Sequence, residues 1–237
     1  MAGERERGSG PRRVEVAPQR LAGWVDDFAA RHGGGLAGKA GGAEVSFSAA
    51  DGATALCEVP FPPLGPAAGG TGTADAAEEL AARLAAHAMA DRTVGVLLVR
   101  LGGYAAGVFT GTEPVLAASK VGSRLVHGRS AAGGQSQQRF ARRRENQAHQ
   151  ALGAAADTAA AVFGPYELDA LVLGGDRRAM AGIRKDQRLA PYFEVAVDAF
   201  LTVPDPRLTV LRDTPRMFRV VRITITEPAA GSRPADR

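Results

Sequence analysis

The chain carries Gly133-Gly134-Gln135 directly in front of a long stretch of helical spacing. Two adjacent glycines free the backbone to adopt conformations closed to other residues and to come close to another molecule. The Gln135 side-chain amide has no useful pKa, so it is neither a general acid nor a general base. It can orient a water molecule, while the free backbone N–H groups at the start of a helix stabilise developing negative charge. Gln135, Gly133 and Gly134 are therefore the candidate catalytic residues of a site that positions water. Taken alone, a Gly-Gly-Gln tripeptide also fits a plain flexible turn.

The segment behind the tripeptide predicts a helix from Ser136 to about Val162. At about 100° per residue, Phe140, Ala141, Ala148, Ala151, Leu152, Ala155, Ala159 and Val162 share one third of its circumference, which suits packing on a sheet. Arg139, Arg142, Arg143, Asn146 and Gln150 fall on another side, where guanidinium and amide groups suit phosphates, ribose hydroxyls and base edges. The formal net charge of the chain is only +4. Yet between Pro114 and Arg144 stand Lys120, Arg124, Arg129, Arg139, Arg142, Arg143 and Arg144 with no acidic residue. A basic strip on a mildly acidic body fits a protein that turns one face to a polyanion.

The elements that must hold this site follow from pattern. Residues 1–13 and 228–237 read as disordered tails. An N-terminal piece, residues 14–66, has a helix at 18–31 with Leu21, Trp24, Val25 and Phe28 at helical spacing, ended by Gly33-Gly34-Gly35. Strand-like runs 43–48 and 53–59 then flank Asp51-Gly52, a hairpin signal. Residues 60–72, rich in Pro and Gly, read as a linker. The main domain spans 73–227. It opens with a helix to about Ala90, followed by strands at 94–101, 104–110 and 113–120 joined by short glycine connections. After the loop and the long helix come a strand at 168–173, a helix at 176–188, a strand at 193–203 and two more at 208–211 and 218–226. Three meandering strands, then helix, strand, helix, strand, is the order of an RNase H-like α/β domain. The expected fold is thus a mixed sheet covered by helices, with a small N-terminal α+β piece.

Other chemistries find less support. Two-metal hydrolysis needs clustered carboxylates, but 94–101 holds none and the meander offers only Glu113. His32, His87, His127 and His149 lack ligand-like spacing, so no metal and no cofactor are expected. Leu173-Gly174-Gly175-Asp176 fits neither a P-loop nor a dinucleotide fingerprint, and reads as a strand-to-helix turn with an Asp cap. The single cysteine, Cys57, excludes an internal disulfide framework and fits a reducing cytoplasm. It reads as a small buried hydrophobe. No segment has the apolar length of a membrane span, and the polar opening is not a secretory signal. A cytoplasmic protein with neither membrane nor DNA as a partner is expected.

His127-Gly128-Arg129, Gly133-Gly134-Gln135-Ser136, Arg139-Phe140-Ala141-Arg142, Arg144 and Glu145 together resemble the central domain of eukaryotic and archaeal peptide-chain release factors. More closely, they resemble the bacterial Vms-like release factors, which are peptidyl-tRNA hydrolases. The close match covers about Arg124 to Glu145, and a looser one runs to about Val203. The resemblance implies that Gln135 enters the peptidyl transferase centre of the large ribosomal subunit and places the water that attacks the ester of peptidyl-tRNA. It gives Arg124, His127, Arg129, Ser136, Arg139, Arg142 and Arg143 to RNA binding, on rRNA or tRNA, with His127 shaping the loop rather than catalysing. Relative to the release factors, Ser130-Ala131-Ala132 is an insertion, and the residues before Thr73 show no stop-codon-reading motif. Codon-independent rescue of stalled chains is the function this implies. Metal-free cleavage of tRNA near its 3′ end by the same loop, and a non-catalytic RNA-binding module, are the alternatives.

Overall fold

The computed structural model describes residues 10–65, 77–100, 102–123 and 136–228, and among residues 136–148 it describes only the side chain of Gln147. In chain order the elements are β1 (Arg12–Val16), a 3-10 turn (Pro18–Arg20), α1 (Leu21–Arg31), β2 (Leu36–Ala40), β3 (Glu44–Ala49), β4 (Thr54–Glu58) and α2 (Ala77–Met89). There follow β5 (Val94–Arg100), β6 (Gly103–Thr110), β7 (Val115–Ser123), α3 (Ser136–Phe163), β8 (Ala170–Gly175), α4 (Arg177–Ile183) and a 3-10 turn (Gln187–Leu189). The last elements are α5 (Ala190–Glu194), β9 (Ala196–Leu201), α6 (Leu208–Phe218) and β10 (Val221–Thr226). They form two compact units, residues 1–90 with 219–237, and residues 91–218.

The first unit holds an antiparallel sheet in the order β1-β10-β4-β3-β2. Its strands alternate buried and exposed residues, as expected where one sheet face meets a core and the other meets water. Val14, Ile223, Cys57 and Val45 stand side by side across four strands. Leu21, Val25 and Phe28 of α1 and Leu80 and Leu84 of α2 close over that face. Cys57 is buried as the sequence suggested, and desolvation pushes its thiol pKa up to about 12, so it stays a neutral, packed group.

The second unit holds a mixed sheet in the order β7-β6-β5-β8-β9, with β8 parallel to β5, β9 parallel to β8, and β6 antiparallel to β5 and β7. This is the RNase H-like arrangement the element order implied. The central strand β5 is buried along its length up to Arg100, which is why Val94–Val99 reads as one apolar run instead of an alternation. Tyr104, Ala106 and Val108 of β6 face the α3 side of the sheet, in one core with Ala155, Ala159 and Phe163 of α3 and Met180 and Ile183 of α4. On the other side, Gly107 lies under Leu211, and the Phe109 ring meets Phe218 edge-on at 6.1 Å, both partners belonging to α6.

Several elements depart from the sequence reading. Arg12 and Arg13, expected in a tail, belong to β1, because β10 supplies them a partner about two hundred residues away along the chain. Leu36–Ala40, whose Ala and Gly give little strand signal, becomes β2 by pairing with β3. Helix α2 and strand β10, expected in the larger domain, share the core of the first unit. Leu208–Leu211, expected as a strand, is the first turn of α6. Pro215 lies inside that helix and cannot donate to the Leu211 carbonyl, and the Thr214 hydroxyl donates to it instead at 2.7 Å. The strand expected at 193–203 is shorter, since Ala190–Glu194 turns as α5 before β9 starts.

Candidate functional site

The loop that carries the candidate residues leaves β7 at Ser123 and returns at Ser136, the first residue of α3. Arg124, His127, Arg129, Gly133, Gly134 and Gln135 lie outside the described residues. Ser136 opens α3, and Arg139, Arg142 and Arg143 occupy its first two turns at i, i+3 and i+4 spacing, which places them on one side of the helix. The structure therefore fixes the two ends of the loop and the helix behind it.

The β7 end of the loop is held by a close cross-strand contact. Tyr104 pairs with Gly122 and Gly103 with Ser123, the last two steps of the β6–β7 ladder. A Cβ on Gly122 would lie 2.3 Å from Cζ of Tyr104, so the ring lies directly over the glycine backbone. A larger residue at 122 would have to push the Tyr104 ring aside.

The helix end is held by α3's second half. Ala155, Ala156, Ala159, Val162 and Phe163 are buried, whereas His149 and Gln150 are exposed and Ala151 to Ala154 half-buried. Small side chains let the helix lie close to the sheet, and Phe163 locks its far end against Tyr192, ring centroids 5.4 Å apart. Against its side rests α4, where a Cβ on Gly182 would come within 2.7 Å of Cδ1 of Leu152. One turn further on, the Arg188 guanidinium bonds Asp157 of α3 at 2.8 Å and Asp186 at 2.7 Å, which lowers the Asp186 pKa and raises that of Arg188. Residues 136–148, of whose side chains only that of Gln147 is described, precede this part and carry the arginine positions. The expected sheet-facing stripe is confirmed at Ala155, Ala159 and Val162, while Phe140, Ala141 and Ala148 lie outside the described side chains.

Asp176 behaves as the sequence suggested: its Oδ1 accepts from the backbone N–H groups of Arg178 and Ala179 at 2.7 and 3.0 Å, capping α4. Of the histidines, His32 bonds Asp51 through Nδ1 at 2.8 Å, and Nε2 of His87 lies 2.9 Å from the Phe61 carbonyl oxygen, both within the first unit. Among the described residues no three His, Cys, Asp or Glu side chains converge on one point, and no helix is long and apolar enough to cross a membrane. Sequence reading missed the Tyr104–Gly122 contact, for which the only signal was a glycine at the end of a strand beside the loop.

Among solved structures the chain is similar to an archaeal translation termination factor, aRF1, at 10% sequence identity and a TM-score of 0.38. That similarity covers 73% of this chain and 51% of the archaeal one, so the chain spans about half the length of that relative. No curated protein matches it. The family model described as "Actinobacteria/chloroflexi VLRF1 release factor" matches residues 92–224, more than half of the chain and nearly the whole of the unit that carries the loop and α3. The chain belongs to the Actinobacteria/chloroflexi VLRF1 release factor family.

Proposed function

We propose that this protein is a peptidyl-tRNA hydrolase that frees nascent chains from stalled ribosomes or large subunits, independently of the codon, in the cytoplasm. Membership of a release-factor family supports the coarser part of this reading, a ribosome-associated release-factor-like function with contact to tRNA. The observation that carries the finer part is the placement of Gly133-Gly134-Gln135 between the end of β7 and the start of a 28-residue helix anchored through its second half. The tripeptide directly precedes that helix in the sequence, and Arg139, Arg142 and Arg143 follow within about two turns, at positions suited to rRNA or tRNA phosphates.

In the reaction, the Gln135 amide orients a water whose oxygen bonds to the carbonyl carbon of the ester. The bond to the ribose 3′ oxygen breaks, and that oxygen leaves with a proton derived from the water. Backbone N–H groups at the start of α3 are suited to the oxyanion that forms on the way. Arg124, Arg129 and Ser136 add contacts around the loop, and His127 shapes it. No cofactor enters this scheme.

The test is peptide release from purified large-subunit complexes bearing peptidyl-tRNA. Wild-type protein should free the peptide. Gln135→Ala should lower the rate on the order of 10²- to 10³-fold while leaving RNA affinity unchanged. If wild type frees no peptide while a control hydrolase does, the protein is a binding module. Recovery of the peptide still joined to a short 3′ tRNA fragment would point instead to nuclease action.

A further inference from the structure

Helix α4 and the turn after it carry a second basic face. Arg177, Arg178, Ala181, Arg184 and Lys185 are its exposed positions, so every charged group there is a cation. At about 100° per residue these five fall within about one third of the circumference. The opposite side, Ala179, Met180 and Ile183, is buried against the core. Two of the arginines are held in place. The Arg177 guanidinium lies over the Phe200 ring at 4.3 Å from its centroid, and that of Arg184 over Phe193 at 5.1 Å. A guanidinium stacked on an aromatic ring keeps its N–H edge free for a further acceptor and loses less side-chain freedom when one binds. Of the carboxylates flanking α4 in the chain, Asp176 accepts from the backbone N–H groups of Arg178 and Ala179 and Asp186 from Arg188, while Glu194 and Asp198 are exposed on the elements that carry Phe193 and Phe200.

The place of α4 beside α3 gives this face its direction. Leu152 lies against Gly182 and Asp157 against Arg188, so the two helices run side by side in the same sense. On that alignment Arg177 stands level with α3 at about residue 147, a turn or two behind the positions of Arg139 to Arg144. The basic face of α4 therefore continues the track of arginine positions on α3, away from the loop.

We infer that α4 is a second phosphate-contact surface, and that the RNA engaged by the start of α3 extends along Arg177, Arg178, Arg184 and Lys185 as a double-helical backbone. That the start of α3 engages RNA, and whether that RNA is tRNA or rRNA, rests on the function proposed above. The α4 surface presents two ring-held guanidinium groups and two further cations, without a carboxylate among its own exposed positions and without an exposed aromatic face for unstacked bases. That combination suits the sugar-phosphate backbone of an A-form duplex.

The test is fluorescence-anisotropy titration of the full chain with a labelled RNA acceptor-stem hairpin across a salt series. The Arg178→Ala/Lys185→Ala variant should bind on the order of tenfold more weakly, and its log–log salt slope should flatten by roughly 0.7 to 0.9 for each phosphate that is no longer neutralised. Arg177→Lys keeps the charge and loses the stacking, and should weaken binding by a smaller factor with an unchanged slope. Wild-type affinity and slope in both variants would overturn the inference, as would displacement of the RNA by an acidic polypeptide at lower concentration than by unlabelled duplex. Gln135→Ala, run beside them, should bind the hairpin as wild type does. Absence of peptide release by wild type, with the α4 effect intact, would remove the hydrolase reading and leave this surface standing.

Discussion

The two units of this molecule assemble a five-stranded sheet by opposite means. The first collects its strands from both ends of the chain, with β10 inserted between β1 and β4. The second is a single continuous segment, and it achieves close approach by omitting side chains. Gly175, at φ +101°, passes so near Val99 that an added Cβ would lie 2.1 Å from that residue's carbonyl oxygen. Gly122, Gly107 and Gly182 are similarly overlain by Tyr104, Leu211 and Leu152. The first unit thus depends on a long-range strand, and the second on local absences of bulk. Of these contacts, Gly182 on Leu152 seats α4 directly against α3.

Removing β10 should have the largest effect. Val221, Ile223 and Ile225 are fully buried, each contributing about 1.5 to 3 kcal/mol, and their loss would also leave β1 without a partner strand. A chain ending at Phe218 should lose the cooperative unfolding transition of the first unit. Hydrogen exchange should still find β5, β6 and β8 protected. Loss of protection there as well would show that the second unit does not stand by itself. Gly175→Ala should act in the reverse sense. The left-handed backbone alone costs about 1 to 2 kcal/mol, and the overlap with the Val99 carbonyl adds to it. Urea denaturation followed by exchange should show the deficit in the second unit only. An unchanged midpoint would refute the account of tight glycine seating.

The smallest effect concerns pH. The Asp51 carboxylate accepts from the Ala53 backbone N–H at 2.9 Å and pairs with His32, and these hold its pKa below the ordinary 3.8. A depressed carboxylate stabilises the fold above its unfolded value, and that contribution fades as pH falls through the lowered one. Wild type should therefore lose first-unit stability below about pH 4 faster than Asp51→Asn does, read as urea midpoints against pH. Parallel curves would show that the pair contributes nothing to stability.

Local pattern made most of the second unit legible. The apolar run of β5, the meander, the long helix and the Asp-capped α4 each carry their signal within a few residues. Where the reading failed, the deciding contact was distant or disguised. Arg12 and Arg13 look like a charged tail until β10 is placed beside them. Leu208-Thr209-Val210-Leu211 alternates like a strand, and Pro215 argues against a helix until Thr214 is seen to bond the orphaned carbonyl. For the site, the tripeptide and the arginine row could be read from residue types and spacing. The Arg177-Arg178 and Arg184-Lys185 pairs are equally visible in the sequence. What sequence hides is that Phe200 and Phe193 lie beneath two of them, because those rings arrive from β9 and α5.

The inserted strand has a consequence for how the molecule comes into being. During synthesis the N-terminal elements emerge first, yet β1 pairs with no strand other than β10, the last described strand to be translated. The continuous segment that bears the loop already has every strand of its own sheet by the time Leu201 has been added. The first unit is therefore completed only after the second has all its strands, and its apolar face waits, incompletely covered, until β10 has been translated.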